Sequence, residues 1–156
     1  MDKRAVIELN ETLIHPRFCE IDALCIVHHS RFVPWIEEAN FNFVERVLEI
    51  PRKELFESDL FNPVQKLEFN YKNHVALEDE VLIKSKMEYS RFATFTMHNT
   101  LCSKGNPKKI FAQAKVRLLI TSKDLKMKLL VPEFFLAKIR AAEIKYPEYF
   151  KNSSYV

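Results

Sequence analysis

From Ser30 onward, apolar residues recur at intervals of three and four. Phe32, Trp35, Ile36, Ala39, Phe43 and Val47 share one face of a helix that ends before Pro51. Phe41, Val44 and Leu48 widen that face well beyond a surface stripe, which predicts a helix wrapped on several sides. Ser30 is the expected N-cap, and Pro34 is tolerated because it falls in the first turn. Before the helix, residues 6 to 21 mix β-branched and apolar side chains, which predicts a strand running into a turn at Ile21-Asp22-Ala23. After it, residues 51 to 63 read as a polar and aromatic connection. The period then changes to two. Leu67, Phe69 and Tyr71 alternate with polar residues, and so do Val81, Ile83, Ser85, Met87 and Tyr89. Ala93, Phe95, Met97 and Leu101 share a face, and the positions from Ile110 to Ile120 share another. Four consecutive strands of this kind predict an antiparallel sheet, with a turn at Ser103-Lys104-Gly105-Asn106-Pro107. A last helix starts at Pro132 and stops before Pro147, with Phe135, Ile139, Ala142 and Tyr146 on its buried side. The order is that of an α+β domain in which an antiparallel sheet wraps around one central long helix and a C-terminal helix closes the unit.

Composition narrows the function classes. A chain of 156 residues suits one domain, and a net charge of +3 with scattered lysines, Lys123, Lys126 and Lys128 among them, is not the footprint of a nucleic-acid binder. Cys19, Cys25 and Cys102 are an odd number with no C-x-x-C pair, which predicts neither a disulfide framework nor a zinc knuckle and suits a reducing compartment. No apolar run behind Met1 reads as a signal peptide, and no run reaches the ~18 residues of a membrane span, so the expected location is cytoplasmic. Gly105 is the only glycine, so every other turn must be made by residues carrying a Cβ.

The chemistry gathers in one block. Arg17-Phe18-Cys19-Glu20-Ile21-Asp22-Ala23-Leu24-Cys25-Ile26-Val27-His28-His29 runs into Ser30-Arg31-Phe32-Val33-Pro34-Trp35-Ile36-Glu37-Glu38-Ala39. This resembles, without a gap, the signature of hot-dog-fold acyl-CoA thioesterases of the 4-hydroxybenzoyl-CoA thioesterase type, including the subgroup associated with Tol-Pal genes. Arg17, Glu20, Asp22, Val27, His28, His29, Trp35, Glu37, Glu38 and Ala39 fall on its positions. A second block is similar at Tyr71 and Asp79, while His74, Val75 and Glu78 replace the usual Pro, Ala and Gly. Within the first block Ile21 replaces Thr, Phe32 replaces Tyr and Cys25 replaces Gly. The last departure matters, because a turn that needs φ > 0 is strained by a Cβ.

The resemblance implies hydrolysis of an acyl-CoA, or of the similar thioester on acyl carrier protein, with no cofactor. Asp22 would act as base or nucleophile on the thioester carbonyl. The amides around His29 and Ser30, at the start of the central helix, would polarise the carbonyl oxygen, since such N–H groups lack internal partners. His29 is the expected helper in catalysis; His28, Ser30 and Arg91 are expected to contact substrate. His28 and His29 are adjacent at a helix entry and should point apart, and no further His/Cys cluster joins them, so no metal site is expected. One of the pair Glu37-Glu38 is expected to bond back to the strand or across a dimer. Hot-dog proteins resemble one another in pairing through sheet edges, which implies a homodimer or a homotetramer built from two dimers. The competing reading is a non-catalytic hot-dog module that binds an acyl thioester or a partner protein, with Cys25 marking lost activity. A hot-dog hydratase fits the block less well.

Overall fold

The computed structural model describes residues 7–151. Five strands, β1 (Glu11–Ile14), β2 (Val64–Tyr71), β3 (Val81–Tyr89), β4 (Thr94–Ser103) and β5 (Ile110–Leu119), form one sheet in the order β1-β3-β4-β5-β2, antiparallel throughout. The helices are α1 (Phe32–Arg46), α2 (Arg52–Glu57) and α3 (Glu133–Lys145). This is the hot-dog architecture that the sequence implied.

Alternation along the strands sorts side chains between the two faces. Val81, Ile83, Ser85 and Met87 on β3, Phe95, Met97, Asn99 and Leu101 on β4, and Ala112, Ala114 and Val116 on β5 are all buried. Phe32, Trp35, Ile36, Ala39 and Phe43 of α1 join the same core. Removing each of the large ones from water is worth roughly 1.5–3 kcal/mol. One polar knot interrupts this core: the Asn99 amide donates to Asn40 Oδ1 on α1 and to Ser85 Oγ on β3, both at 2.9 Å. Helix α3 covers the far end through Phe135, Leu136, Ile139 and Ala142. It is tied to β3 by the Tyr89 hydroxyl donating to Glu143; burial and that carboxylate push the phenol up to about 12.

Several boundaries differ from expectation. The first strand covers Glu11–Ile14 rather than 6 to 21, and residue 6 lies outside the described residues. Pro16 brings no N–H for a ladder, and a 3-10 turn at Phe18–Glu20 then bends the chain away. Ser30 does not cap α1. Residues His29–Arg31 form a 3-10 turn ahead of it, and the capping acceptor is the His28 side chain. At the other end, α1 stops at Arg46 because Glu49 takes φ 56° and the Ile50 N–H turns back to Val44 O at 3.2 Å. That is a glycine-type C-cap built with glutamate. The connection 51 to 63 contains α2, anchored by Arg52 to Glu38 at 2.9 Å and to Glu45 at 3.2 Å. Glu38 therefore pairs with α2, not with the strand. Strand β2 is an edge strand, so its expected buried face is only half covered: Leu67 and Tyr71 remain exposed.

Candidate active site

The strand-to-helix segment is shaped by Glu20. Its carboxylate is 2% exposed and accepts from the Arg17 N–H at 2.8 Å, the Arg17 guanidinium at 3.0 Å and the Trp35 indole at 3.1 Å. Burial alone would raise its pKa; the bonds from Arg17 and Trp35 outweigh that and hold it below the usual carboxylate value. The Glu20 carbonyl also accepts the His28 N–H at 2.9 Å. Three residues of the signature, Arg17, Glu20 and Trp35, thus lock the incoming chain to the first turns of α1.

Inside that frame Asp22 begins a tight turn. Its Oδ1 accepts the Leu24 N–H at 2.8 Å and, at 3.4 Å, the Ile26 N–H, while its own N–H donates to Ile26 O at 2.8 Å. The second carboxylate oxygen, Oδ2, has no partner among the described residues. Cys25 closes the turn with φ 61°, its N–H on Asp22 O at 3.0 Å. The left-handed shape that glycine would serve is therefore kept here by an exposed cysteine.

The Val27 N–H bonds Val75 O at 2.8 Å, which docks the segment on the loop after β2. His28 Nδ1 accepts the Ser30 N–H at 3.2 Å and lies 2.8 Å from Ser30 Oγ. The Ser30 amide is thereby occupied. Of the two amides expected to face a carbonyl, only that of His29 has no partner among the described residues. The two imidazoles do not point apart as expected: their ring centres are 4.2 Å apart, and His29 meets Tyr71 edge-on at 6.4 Å. The Tyr71 hydroxyl donates to His29 O at 3.2 Å, and partial burial raises its pKa.

These elements border an open, shallow pocket of about 320 Å3 lined by Asp22, His29, Phe32 and Tyr71 together with Lys72 and His74. Asp22 and His29, named from sequence, are brought together; His28 and Ser30 stand behind them as a hydrogen-bonded pair. Arg91 is not. It lies beyond the Tyr89 end of β3, stacked on Phe92 at 5.2 Å, whereas Tyr71 aligns through β5 and β4 with Ile83. Six strand positions separate those rows, about 20 Å at ~3.3 Å per residue. Sequence reasoning missed Lys72 and His74 as pocket residues. The second block, Tyr71 to Asp79, marked their neighbourhood, and there Asp79 accepts the Ala76 N–H at 2.8 Å to close the loop.

Beside this pocket runs an apolar groove of about 270 Å3 between α1 and the β2–β5 side of the sheet, lined by Val33, Phe41, Val44, Leu67, Val116 and Leu118. Glu37 and Asn40 are the polar groups that α1 adds to it. The first turn of α1 and strand β2 border both spaces. Among the described residues no group of His, Cys, Asp and Glu is arranged to hold a metal, and no helix is long and apolar enough to cross a membrane.

A turn aspartate, a helix start and an apolar groove inside a hot-dog fold define a class of protein, and sequence comparison agrees. The profile of the thioesterase-like superfamily matches residues 16–139, and the chain belongs to that superfamily. No curated protein sequence matches it significantly. Among solved structures, a hypothetical protein from Thermus thermophilus superposes with a TM-score of 0.75 at 21% identity, covering 85% of this chain and 98% of its own. The DHNA-CoA thioesterase of Staphylococcus aureus gives 0.75 at 19%, covering 88% and 90%. The 1,4-dihydroxy-2-naphthoyl-CoA thioesterase of Synechocystis gives 0.72 at 12%, covering 83% and 94%. At such identities the structures share the fold.

Proposed function

We propose that this protein hydrolyses an acyl-CoA or a similar pantetheine thioester, in the manner of the 4-hydroxybenzoyl-CoA type and its Tol-Pal-associated subgroup, at the pocket between Asp22 and the start of α1. The observation that carries the reading is the placement of the Asp22 carboxylate. One oxygen is fixed by the Leu24 N–H, the other has no partner among the described residues, and Asp22 lines the cavity that His29 also borders. A thioester carbonyl seated there meets a carboxylate at carbon and the His29 N–H at oxygen. As a base, Asp22 takes a proton from water as the water oxygen bonds to the carbonyl carbon. As a nucleophile, it forms an anhydride that water then opens. Either way the C–S bond breaks, and the thiolate takes up a proton, which the neighbouring His29 imidazole can relay. The apolar groove receives the acyl chain.

The alternative of a non-catalytic binding module drew its support from Cys25. A φ of 61° at that residue means that the turn keeps the shape a glycine would give it, which favours the catalytic reading.

Arg91 enters through assembly. Edge strand β2 and the exposed Phe41, Phe56, Phe61, Val64 and Leu67 form the surface on which two copies would pair. An antiparallel two-fold along β2 turns the Arg91 end of one copy toward the Asp22 pocket of the other, where a guanidinium suits the phosphates of coenzyme A. The test is a panel of acyl-CoA and acyl carrier protein thioesters followed by thiol detection. Release of thiol from at least one ester is expected, and silence across the panel at high enzyme concentration would remove the proposal.

A further inference from the structure

The three lysines Lys123, Lys126 and Lys128 play no part in the proposed reaction. The structure sets them in a small hairpin that projects from the end of β5. Thr121 bridges Met127, the Ser122 N–H bonds Lys126 O at 2.9 Å, and the Leu125 N–H bonds Ser122 O at 2.9 Å. Farther along, Leu130 bridges Phe92, and the Val131 N–H meets Arg91 O at 3.1 Å.

What this hairpin exposes is unusual. Leu125 is 64% exposed and Leu129 87%, and Met127, Leu130 and Phe92 are each more than half exposed. Leu125 also sits at the tip with φ 61°, a left-handed position that Gly or Asn fills without strain. A branched apolar residue is thus held in water in a costly backbone conformation. Such a patch marks a contact surface. Lys126 and Lys128 alternate with these side chains, and Lys123 flanks them. Against the three lysines stand Asp124, engaged by Ser122 and by Lys126 at 3.2 Å, and Asp59, which accepts the Lys123 N–H at 2.9 Å.

We propose that this hairpin, from Ser122 to Leu130 with Phe92 beside it, docks the protein on an anionic lipid surface. Leu125, Met127 and Leu129 would enter the boundary between headgroups and acyl chains, and the lysines would lie against lipid phosphates. Charge decides between occupants. A second copy packed on the same patch about a two-fold axis would bring the lysines of both copies together, whereas an anionic bilayer complements them. Apolar side chains and basic charge are the two signals that together give stable attachment. The inference does not depend on the hydrolytic reading, since it is tested by binding.

The experiment is co-sedimentation of the full chain with vesicles of phosphatidylcholine alone, and with about one-third phosphatidylglycerol, at low and high salt. Binding to the anionic vesicles only, weakened by salt, is expected. A Leu125→Asn, Met127→Ser, Leu129→Ser variant changes exposed positions and should keep the wild-type melting temperature while binding at least ~10-fold more weakly. A Lys123→Gln, Lys126→Gln, Lys128→Gln variant should lose a similar factor. The proposal is overturned if wild type ignores anionic vesicles at low salt or if both variants bind as it does. It is equally overturned if the leucine variant changes oligomeric state, which would assign the patch to a second copy, or if acyl carrier protein binds the patch and vesicles do not.

Discussion

Asp22 and Cys25 close one turn but do separate work. Asp22→Asn retains an oxygen for the Leu24 N–H, so the turn should persist and the fold with it. If the carboxylate is base or nucleophile, kcat should fall by roughly 10²–10⁴ with the melting temperature unchanged. Near-full hydrolysis by the mutant would take the role away from Asp22. At Cys25 a Cβ in the left-handed region costs about 1 kcal/mol, and glycine removes that cost while adding up to ~1 kcal/mol of unfolded-chain entropy. Because the thiol is exposed, no buried contact is lost. Cys25→Gly is therefore expected to keep activity and to leave stability within about 1 kcal/mol of wild type, on the stabilising side. Thioester turnover and thermal unfolding measured on the same preparations check both halves. A folded but inactive Cys25→Gly protein would place the sulfur in the reaction.

The junction between the incoming chain and α1 depends on a buried charge that accepts three hydrogen bonds. Bonds to a charged group are worth roughly 1.5–3 kcal/mol each, and Glu20→Gln keeps the shape but weakens them, so a loss on the order of 2 kcal/mol is expected at neutral pH. The folded pKa of Glu20 lies below its ordinary 4.5. Its contribution is therefore fully present above that value and is lost as the pH falls through the lower folded value. The stability gap between wild type and Glu20→Gln should narrow as urea unfolding is moved from pH 7 to acid. A gap that stayed constant with pH would mean that the carboxylate is not held ionised in the fold. The Glu20 partners also show why Arg17 and Trp35 accompany Asp22 in the signature. Their bonds fix where the Asp22 turn ends and α1 begins.

At the level of the whole molecule, one layer of sheet around one helix leaves β2 with an unpaired edge and a cluster of exposed aromatic and aliphatic side chains beside it. Folded proteins rarely leave such an edge uncovered. Light scattering at micromolar concentration should report a dimer or a tetramer built from two dimers, and a stable monomer would contradict it. Phe61→Glu puts a charge beside that edge, away from the acyl groove, and is expected to raise the dimer dissociation constant by at least ~10-fold. Under a shared site, the same variant should lose activity as it dissociates and recover it at high protein concentration.

Much of this protein was legible along the chain. The change of period at Ser30 and again after residue 63 located α1, all four strands that follow and α3, because burial of one face imposes its period on local sequence. The Asp22 turn was legible too, since its parts lie within a few residues of one another. What the pattern left open were matters of long-range pairing. Alternation in Leu67, Phe69 and Tyr71 predicts a strand, but whether that strand is central or at the edge depends on which strand pairs with it. Lys72 and His74 reach the pocket only because the Val27 N–H docks on Val75 O, and Arg91 is carried about 20 Å away by the length of the strands. The turn at Cys25 is the sharpest case. A chain with one glycine forces non-glycine residues into left-handed turns, yet which of them accept that strain is decided by the hydrogen bonds that close each turn, and those form only once the segment is packed against α1 and the sheet.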